Sequence, residues 1–369
     1  MSEYITAFKK PGRNWRNTRW FSILTTVLMV GFGLAAVFWL LNLVIRGQCD
    51  QKCVTDTLAQ MFRVATPIAF AAFCGMMCER AGIINIGIEG MMLMAAMVCY
   101  AVNLFSFQLF KTFMDPADAG TMSRLLALIV GLLSALLMAW LHAVLSIRFK
   151  ADQIISGTVI NILALGLTGF FYRQFLAENL PPGPGTFPLM PIPGLADIPV
   201  IGPIFFVQKP LTYILFISVF FLHYTLFYTP WGLRTRAVGE HPRAADTLGV
   251  NVNRMRYINT LAGGLLAGLG GAWFTLEAVD VFNPGMTNGL GFIGLAAMIF
   301  GKWNPFGALL GALIFGLGNS ITSTVSIFRP DIPSHIPQML PYILTIIVLT
   351  GVVGRAIPPA AEGKVYEKQ

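Results

Sequence analysis

Charged side chains are scarce in this chain. Asp, Glu, Lys and Arg make up only 11% of its 369 residues, whereas an ordinary soluble domain carries roughly 25%. Hydrophobic residues make up 56%, and the mean hydropathy is +0.69. This composition excludes a soluble domain of useful length and predicts an all-α, polytopic membrane protein.

Common motifs of catalysis and nucleotide binding are also missing. The chain has no Gly-x-x-x-x-Gly-Lys-[Ser/Thr] run, no His-Glu-x-x-His and no Gly-x-Ser-x-Gly, so it lacks a P-loop and these catalytic signatures. Its four histidines share no spacing that suggests a metal site. We therefore expect a protein that is not an enzyme and binds no cofactor or metal. Any energy it uses must come from a coupled ion or from another subunit.

Five cysteines in a membrane chain predict no disulfide framework. Cys49 and Cys53 share a short loop, where they can form a small disulfide or remain free thiols. The net charge of +8 could suggest a nucleic-acid partner, but the lysines and arginines fall in short segments between apolar runs. That distribution is how a membrane protein sets its orientation, so we expect membrane lipid around the chain and no nucleic acid.

The apolar runs predict about ten transmembrane helices within a membrane domain of residues 21–355. They are 21–45, 57–78, a third from the segment 79–90 to about residue 107, then 124–147, 153–175, 211–229, 257–277, 289–300, 306–321 and 338–353. The eighth run is shorter than the ~20 residues that a full crossing needs. The loop 176–210 is rich in Pro and Gly, and its Pro-Pro-Gly-Pro-Gly run, 181–185, cannot be helical.

Charge predicts the orientation of these spans. The first 20 residues are basic, and the first apolar run exceeds the ~7–15 residues of a signal-peptide core, so it is predicted to be an uncleaved span. Ten spans place both termini and the segment 234–256 on one side, together with most of the 25 lysines and arginines. The positive-inside rule makes that side cytoplasmic, with the tail 356–369 inside and the loop 176–210 outside.

The order of the spans suggests two half-repeats of opposite orientation, spans 2–5 and 7–10. The second span of each half is entered through a segment that contains Gly and Asn, residues 82–90 in one half and 283–291 in the other. Paired interrupted segments in oppositely oriented halves indicate a substrate path near the middle of the membrane.

Polar residues near these segments are candidates for lining the path. Asn85 and Glu89 are four residues apart and would share one helical face. Gln153, Thr158 and Asn161 place polar groups on the fifth span. Two alternatives remain open: Glu89 can cap the first turn of its own helix, where the dipole favours an acid, and the fifth-span groups can bond neighbouring helices.

The coupling segment, residues 234–256, is a charged island between apolar spans. Its arginines are Arg234, Arg236, Arg243, Arg254 and Arg256. A short helix here would lie on the membrane surface with its charges in water. The alternative is a solvated basic loop that only sets the topology.

The motifs in these segments resemble a known family. ERAGIINIGIEGMM, residues 79–92, resembles the signature of ABC-importer permeases of the branched-chain amino acid, simple-sugar and nucleoside group, and is most similar to the nucleoside branch. GEHPRAADTLGV, residues 239–250, resembles that family's coupling helix, although many relatives have Asn where His241 stands. Segments 152–161 and 289–307 also fit. The resemblance covers roughly residues 57–355.

The resemblance implies that the coupling helix docks in a groove of a separate ATP-binding subunit, which carries the ATP and Mg. The implied docking residues are Glu240, His241, Pro242, Arg243, Ala244, Ala245, Asp246, Leu248 and Gly249. Charged residues of this set can form rim ion pairs, while Ala244, Ala245 and Leu248 can pack into the groove. A second, non-identical permease subunit and an extracytoplasmic substrate-binding protein are the other implied partners.

These observations predict the permease subunit of an ATP-driven importer in the bacterial inner membrane, with nucleosides as the expected substrate. Simple sugars are the alternative substrate. An ion-coupled secondary transporter that acts alone is an alternative of another class. It predicts a charged pair buried in mid-membrane, and the spans offer Glu89 without a clear cation partner.

Overall fold

The computed structural model describes residues 50–177, 181–333, 335–343, 346 and 356–367. The predicted basic lead 1–20, the first span and most of the tenth span lie outside these residues. Cys49 also lies outside them. Cys53 is disulfide-bonded, while Cys74, Cys78 and Cys99 are buried free thiols.

The described chain is mostly helical, with very little strand. Its helices are α1 (Gln51–Glu79), α2 (Ile88–Phe110), α3 (Pro116–Ala143), α4 (Gln153–Phe171), α5 (Ile201–Phe205), α6 (Pro210–Tyr228), α7 (Pro230–Glu240), α8 (Pro242–Thr247), α9 (Val252–Trp273), α10 (Leu290–Phe300), α11 (Pro305–Phe328) and α12 (His335–Gln338). Helices α3, α4 and α9 continue as π-helical turns, Val144–Arg148, Tyr172–Leu176 and Phe274–Ala278.

Seven helices of the described residues are long and apolar enough to cross a membrane. They correspond to predicted spans two to seven and nine, which confirms an all-α, polytopic membrane protein. The predicted eighth span is helix α10, whose 11 residues extend only about 16 Å, roughly half of the ~30 Å hydrocarbon core. The helix alone is therefore too short to cross, and the count of ten remains a prediction.

Side chains of the connecting segments fix where the helices begin. The Asp152 carboxylate accepts hydrogen bonds from the backbone N–H groups of Ile154 and Ile155, at 2.9 and 3.0 Å, at the start of α4. Asn304 accepts from Phe306 N at 3.0 Å at the start of α11, where Pro305 occupies the first helical position. These N-caps satisfy donors that would otherwise remain unpaired at the membrane boundary.

Helices α1 and α9 form the centre of the bundle and pack against each other. Helix α1 also packs against α10 and α11, and α9 packs against α2 and α3. Helix α2 packs against α3, as α10 packs against α11. Exchange of α1 with α9, α2 with α10 and α3 with α11 leaves this pattern of contacts unchanged, which is what two related halves predict.

The long loop between α4 and α6 is attached to the end of the bundle opposite α7 and α8. Its proline-rich run is non-helical, as predicted, and the carbonyl of Pro182 accepts a hydrogen bond from Gln108 at 2.8 Å. The same loop also contains helix α5 and a two-stranded antiparallel pair. Strand β1 (Met190–Pro191) pairs with β2 (Val207–Gln208), and Arg63 of α1 donates to the Val207 carbonyl at 3.0 Å.

Candidate functional site

Two non-helical segments enter the bundle from opposite ends and meet inside it. Residues 80–87 lead from α1 to α2, and residues 279–289 lead from the π turn after α9 to α10. Asn161, which contacts the start of α2, lies eight residues into α4, or about 12 Å from its first residue at 1.5 Å per residue. The short length of α10 gives a similar depth, so the segments meet near the middle of the bundle.

Glu89 joins the two segments. Its Oε1 accepts hydrogen bonds from the Gly289 N–H at 2.8 Å and the Thr287 hydroxyl at 2.6 Å, and its Oε2 accepts from the Gly291 N–H at 2.7 Å. The carboxylate therefore caps the first turn of α10 and not of its own helix, whose N-cap has no side-chain bond. Because the positive ends of α2 and α10 converge on it, a carboxylate is stabilised there without a cation.

A close approach of two backbones makes this arrangement possible. A Cβ atom at Gly291 would lie 2.8 Å from the Cα of Glu89. A Cβ atom at Gly157 of α4 would lie 2.8 Å from the backbone nitrogen of Gly87. Only a residue without a side chain fits such contacts without displacing the neighbouring backbone.

Side chains of α3 and α4 bond non-helical backbone groups of the segment 80–87. Gln153 Oε1 accepts from the Ile84 N–H at 2.7 Å, and His142 Nε2 lies 3.0 Å from the Ile84 carbonyl. Asn161 accepts from the Gly90 N–H at 2.8 Å and donates to the Ile86 carbonyl at 3.0 Å. Non-helical backbone at membrane depth requires such partners, so Gln153 and Asn161 hold the segment in place.

Asn85 does not line an open path. It lies before α2 begins, so the helical spacing that pairs it with Glu89 has no meaning here. Its side chain is fully buried, its Oδ1 accepts from the Gly87 N–H at 3.0 Å, and its amide nitrogen faces the sulfur atoms of Cys78 and Met91. Asn85 shapes the turn into α2, and contact with a solute would require the turn to open.

The place where the segments 80–87 and 279–289 meet is called the mid-membrane crossing below. The accessible polar groups lie along one edge of it. Thr158 is exposed, and Glu89 and Asn161 are half-buried. Asn288, which sequence reasoning missed, is exposed with a left-handed backbone (φ 45°) immediately before Gly289 (φ 79°). The Asn-Gly pair is a turn signature that could have indicated it. Of the five predicted path residues, the structure thus leaves three accessible and buries Asn85 and Gln153.

The coupling segment is the second candidate site. Helices α7 and α8 meet at His241, whose backbone leaves the helical range (φ −138°, ψ 78°). The exposed members of the predicted docking set are Glu240, His241, Arg243, Ala244, Leu248 and Gly249, while Pro242 and Asp246 are half-buried. Leu248 is 84% exposed, which makes its whole side chain available to a partner.

Two residues of this segment face inward instead. Ala245 is 4% exposed and belongs to a buried apolar cluster with Val238, Val252 and Met255, so it cannot pack into a partner's groove. Arg256 is 2% exposed and lies within α9. The basic surface predicted from five arginines is therefore smaller than the sequence suggests, because packing against the chain's own helices uses part of it.

Arg80 connects the coupling segment with the interrupted helices. It follows α1 and donates to the Trp303 carbonyl, just after α10, at 2.9 and 3.1 Å. Burial lowers the pKa of Arg80, and the neighbouring Glu240 acts in the opposite direction. The guanidinium groups of Arg80 and Arg236 both lie over the Phe227 ring, at 5.8 and 5.2 Å from its centroid.

Within the part of the chain that the structure describes, no group of three or more His, Cys, Asp or Glu side chains is placed to hold a metal ion. The sites described above consist instead of capped helix ends, backbone-bonding amides and an exposed helical surface. Such groups can bind neutral polar solutes or dock a protein.

Comparisons with known proteins agree with this geometry. The family described as "branched-chain amino acid transport system / permease component" matches residues 57–349. The guanosine ABC transporter permease protein NupQ of Bacillus subtilis is 43% identical over 82% of this chain and 94% of its own length. The nucleoside ABC transporter permease protein NupC of Lactococcus lactis is 42% identical over 84% and 96%.

A more distant relative has a different printed substrate. The putative glucose ABC transporter permease protein TsgC13 of Haloferax volcanii is 35% identical over 69% of this chain and 73% of its own length. No solved structure matches the chain significantly.

Proposed function

Because the chain belongs to the family of permease components of branched-chain amino acid transport systems, we propose that it is the membrane-spanning permease subunit of an ATP-driven importer. Two relatives that align over more than nine-tenths of their length are named ABC transporter permease proteins. The chain itself has no P-loop. ATP and Mg therefore belong to a separate ATP-binding subunit.

Nucleosides are the proposed substrate class. The similarity at 42–43% identity to guanosine and nucleoside permease proteins carries this proposal. Thr158 is exposed, and Asn161 and Glu89 are half-buried although they bond backbone groups. Hydroxyl, amide and carboxylate groups of this kind can exchange hydrogen bonds with sugar hydroxyls and base edges. Simple sugars remain the second candidate, which the glucose-permease relative supports.

The coupling segment is the proposed contact with the ATP-binding subunit. Its two short helices present Arg243, Ala244 and Leu248 to the outside, and their backbone is anchored from below by the buried cluster around Ala245. A rigid, anchored surface of this kind can pass a displacement to the bundle. The distribution of basic residues supports a cytoplasmic position for it, in the inner membrane of a bacterium.

Two further partners complete the proposed importer. A second permease subunit would face the accessible edge of the crossing, where α4 exposes Thr158 between apolar residues such as Ile155 and Ile162. An extracytoplasmic binding protein would deliver the solute at the opposite end from the coupling segment. The centre of the described bundle is occupied by α1 and α9, which pack against each other.

The stand-alone secondary transporter has less support. It requires a mid-membrane charge with a titrating or cationic partner, whereas the Glu89 carboxylate is bonded by two backbone N–H groups and a hydroxyl. The two ion pairs found among the described residues, Lys150–Glu367 and Arg329–Asp331, lie outside the seven long spans.

Gentle solubilisation of native membranes that contain the tagged chain tests the proposal. Co-purification of an ATP-binding subunit, together with uptake of labelled guanosine that stops on ATP depletion, is expected. Uptake that continues without ATP and stops when an ionophore collapses the ion gradient would contradict the importer. ATP-dependent uptake of labelled glucose, without uptake of labelled guanosine, would identify a sugar permease.

A further inference from the structure

The C-terminal tail, residues 356–367, lies across the same end of the bundle as the coupling segment and bonds to it directly. The Ala361 N–H donates to the Gly239 carbonyl at the end of α7, at 2.8 Å. The Ala360 N–H donates to the Glu240 carboxylate at 3.2 Å. The tail thus bonds the residues that precede the His241 bend between α7 and α8.

The tail also bonds the interrupted segment and the central helix α9. The Gly363 N–H donates to the Gly82 carbonyl at 3.3 Å, and the Lys364 carbonyl accepts from the buried guanidinium of Arg256 at 3.0 Å. The Glu362 carboxyl faces that of Glu79 at the end of α1. The tail therefore contacts three elements of the bundle, namely the segment 80–87, α9 and α1.

Tyr366 anchors the end of this strip beneath α8. Its side chain is 9% exposed and packs in the cluster that contains Ala245, Val238 and Met255. The next residue, Glu367, pairs with Lys150 of the α3–α4 connection at 2.6 Å. A buried aromatic ring contributes a large apolar contact area to such an attachment.

The family match ends at residue 349, so it assigns nothing to the tail. Sequence reasoning predicts only a short polar tail there. The contacts given above instead link the coupling segment to the segment 80–87. Tyr366 packs against α8, and Ala361 bonds α7. Gly363 of the same tail bonds Gly82, on the segment that leads to Glu89.

We propose that residues 356–367 form a positioning strap, which holds the coupling segment in a fixed relation to the segment 80–87. The inference rests on the proposed function, because the strap transmits the displacement of the coupling segment by the ATP-binding subunit. Without the strap, α7 and α8 can move under the partner while the mid-membrane crossing stays in place. ATP hydrolysis then continues, and solute movement per ATP falls.

Two substitutions test the strap in the assembled transporter in membrane vesicles. Ala361→Pro removes the N–H that bonds Gly239, and Ile357→Pro is its matched control. Ile357 is 76% exposed, and it precedes Pro358, so its backbone already favours the extended range that proline adopts. Tyr366→Ala removes the buried ring, and Tyr366→Phe retains the ring without the hydroxyl.

The measured quantity is nucleoside taken up per ATP hydrolysed, with the amount of assembled complex determined in the same vesicles. Ala361→Pro is expected to lower this ratio roughly fivefold, the population change that corresponds to one lost net hydrogen bond. Tyr366→Ala is expected to lower it at least as much. Ile357→Pro is expected to retain the ratio of the unaltered chain. Tyr366→Phe keeps the ring but loses the hydroxyl that faces Asp246 of α8, and is expected to fall between the unaltered chain and Tyr366→Ala.

Two results would overturn the strap. One is an unchanged ratio in both Ala361→Pro and Tyr366→Ala. The other is a fall of complex, hydrolysis and uptake in the same proportion, since the tail would then be a structural support only. Either result leaves uptake by the unaltered chain intact. Failure of the proposed function is different, because the unaltered chain would then recover no ATP-binding subunit or take up no nucleoside.

Discussion

Replacing Glu89 by Gln removes one charge at the mid-membrane crossing while retaining the shape of the side chain. The carboxylate accepts three hydrogen bonds, two at Oε1 and one at Oε2. A glutamine keeps one acceptor oxygen, so its amide nitrogen must face an N–H donor. If the oxygen stays with Thr287 and Gly289, the Gly291 N–H loses its partner at a buried position.

The free-energy contributions to docking of α10 favour the carboxylate over the amide. Three bonds to a charged acceptor at about 2 kcal/mol each, against two neutral bonds at about 1 kcal/mol each, make a difference of about 4 kcal/mol. The glutamine avoids the cost of a charge inside the membrane, which offsets about 3 kcal/mol of this difference. The unpaired N–H costs a further 1 kcal/mol or so. The expected net loss, about 2 kcal/mol, is a roughly 30-fold shift toward a state in which α10 is undocked from α2.

Hydrogen exchange of the Gly289–Gly291 amides, measured by mass spectrometry on the chain in lipid nanodiscs, checks this value. Exchange is expected to be roughly 30-fold faster in Glu89→Gln if local opening limits it. Asp118→Asn is the matched control. Asp118 is an exposed acid in the first turn of α3, whose N-terminus has no side-chain cap, and its substitution is expected to leave the exchange unchanged.

If the hydrogen-exchange rate of these amides in Glu89→Gln is within twofold of the rate in the unaltered chain, the reasoning is refuted. Helix α10 would then be held by packing and not by its cap. Uptake supplies a second readout, since solute movement is expected to fall together with docking. Faster exchange with normal uptake would mean that the docked state of α10 is not the state that limits transport.

Three further predictions concern other parts of the same structure. Gly291→Ala is expected to abolish most uptake, because its Cβ atom would meet backbone 2.8 Å away, while Gly166→Ala, where nothing lies within 4 Å, is expected to be neutral in the same uptake assay. Asn161→Leu leaves two backbone groups without partners and is expected to cost about 2–4 kcal/mol, seen as a lower thermal midpoint, whereas exposed Thr158→Val on the same helix is expected to change it little. Burial raises the pKa of Glu362 above its ordinary value, so attachment of the tail is expected to be full at low pH and to weaken as pH rises through that raised pKa. Limited proteolysis of the tail is therefore expected to increase with pH in the unaltered chain but not in Glu362→Gln; equal cleavage in both would contradict this.

Hydropathy predicts the long helices well, because a span that faces lipid must be apolar over about 20 residues whatever its neighbours are. Helix α4 is an example: its predicted start at residue 153 is also its observed start, and Asp152 supplies a local cap. The same reasoning identifies 289–300 as too short to cross. Motif resemblance adds the family, because the motifs lie where the chain interrupts its helices.

Pairing of side chains across the bundle was not predictable in the same way. Spacing places Asn85 and Glu89 on one helical face, but residue 85 belongs to a non-helical segment, where a period of 3.6 has no meaning. Composition predicts an exposed alanine at 245 and a surface cation at 256, and both are buried by contacts with distant parts of the chain. Neither contact leaves a local signal in the sequence.

The sequence by itself determined the membrane class, the positions of most spans, the charged segment between α6 and α9, and the two interrupted entries. Each follows from local hydropathy, charge or turn chemistry, which a few consecutive residues contain. Only the tertiary structure decided that Glu89 caps α10, that Gln153 and Asn161 hold the segment 80–87, and that the tail bonds the coupling segment. These depend on which helix ends meet in space, where every backbone donor without water needs a partner from another part of the chain.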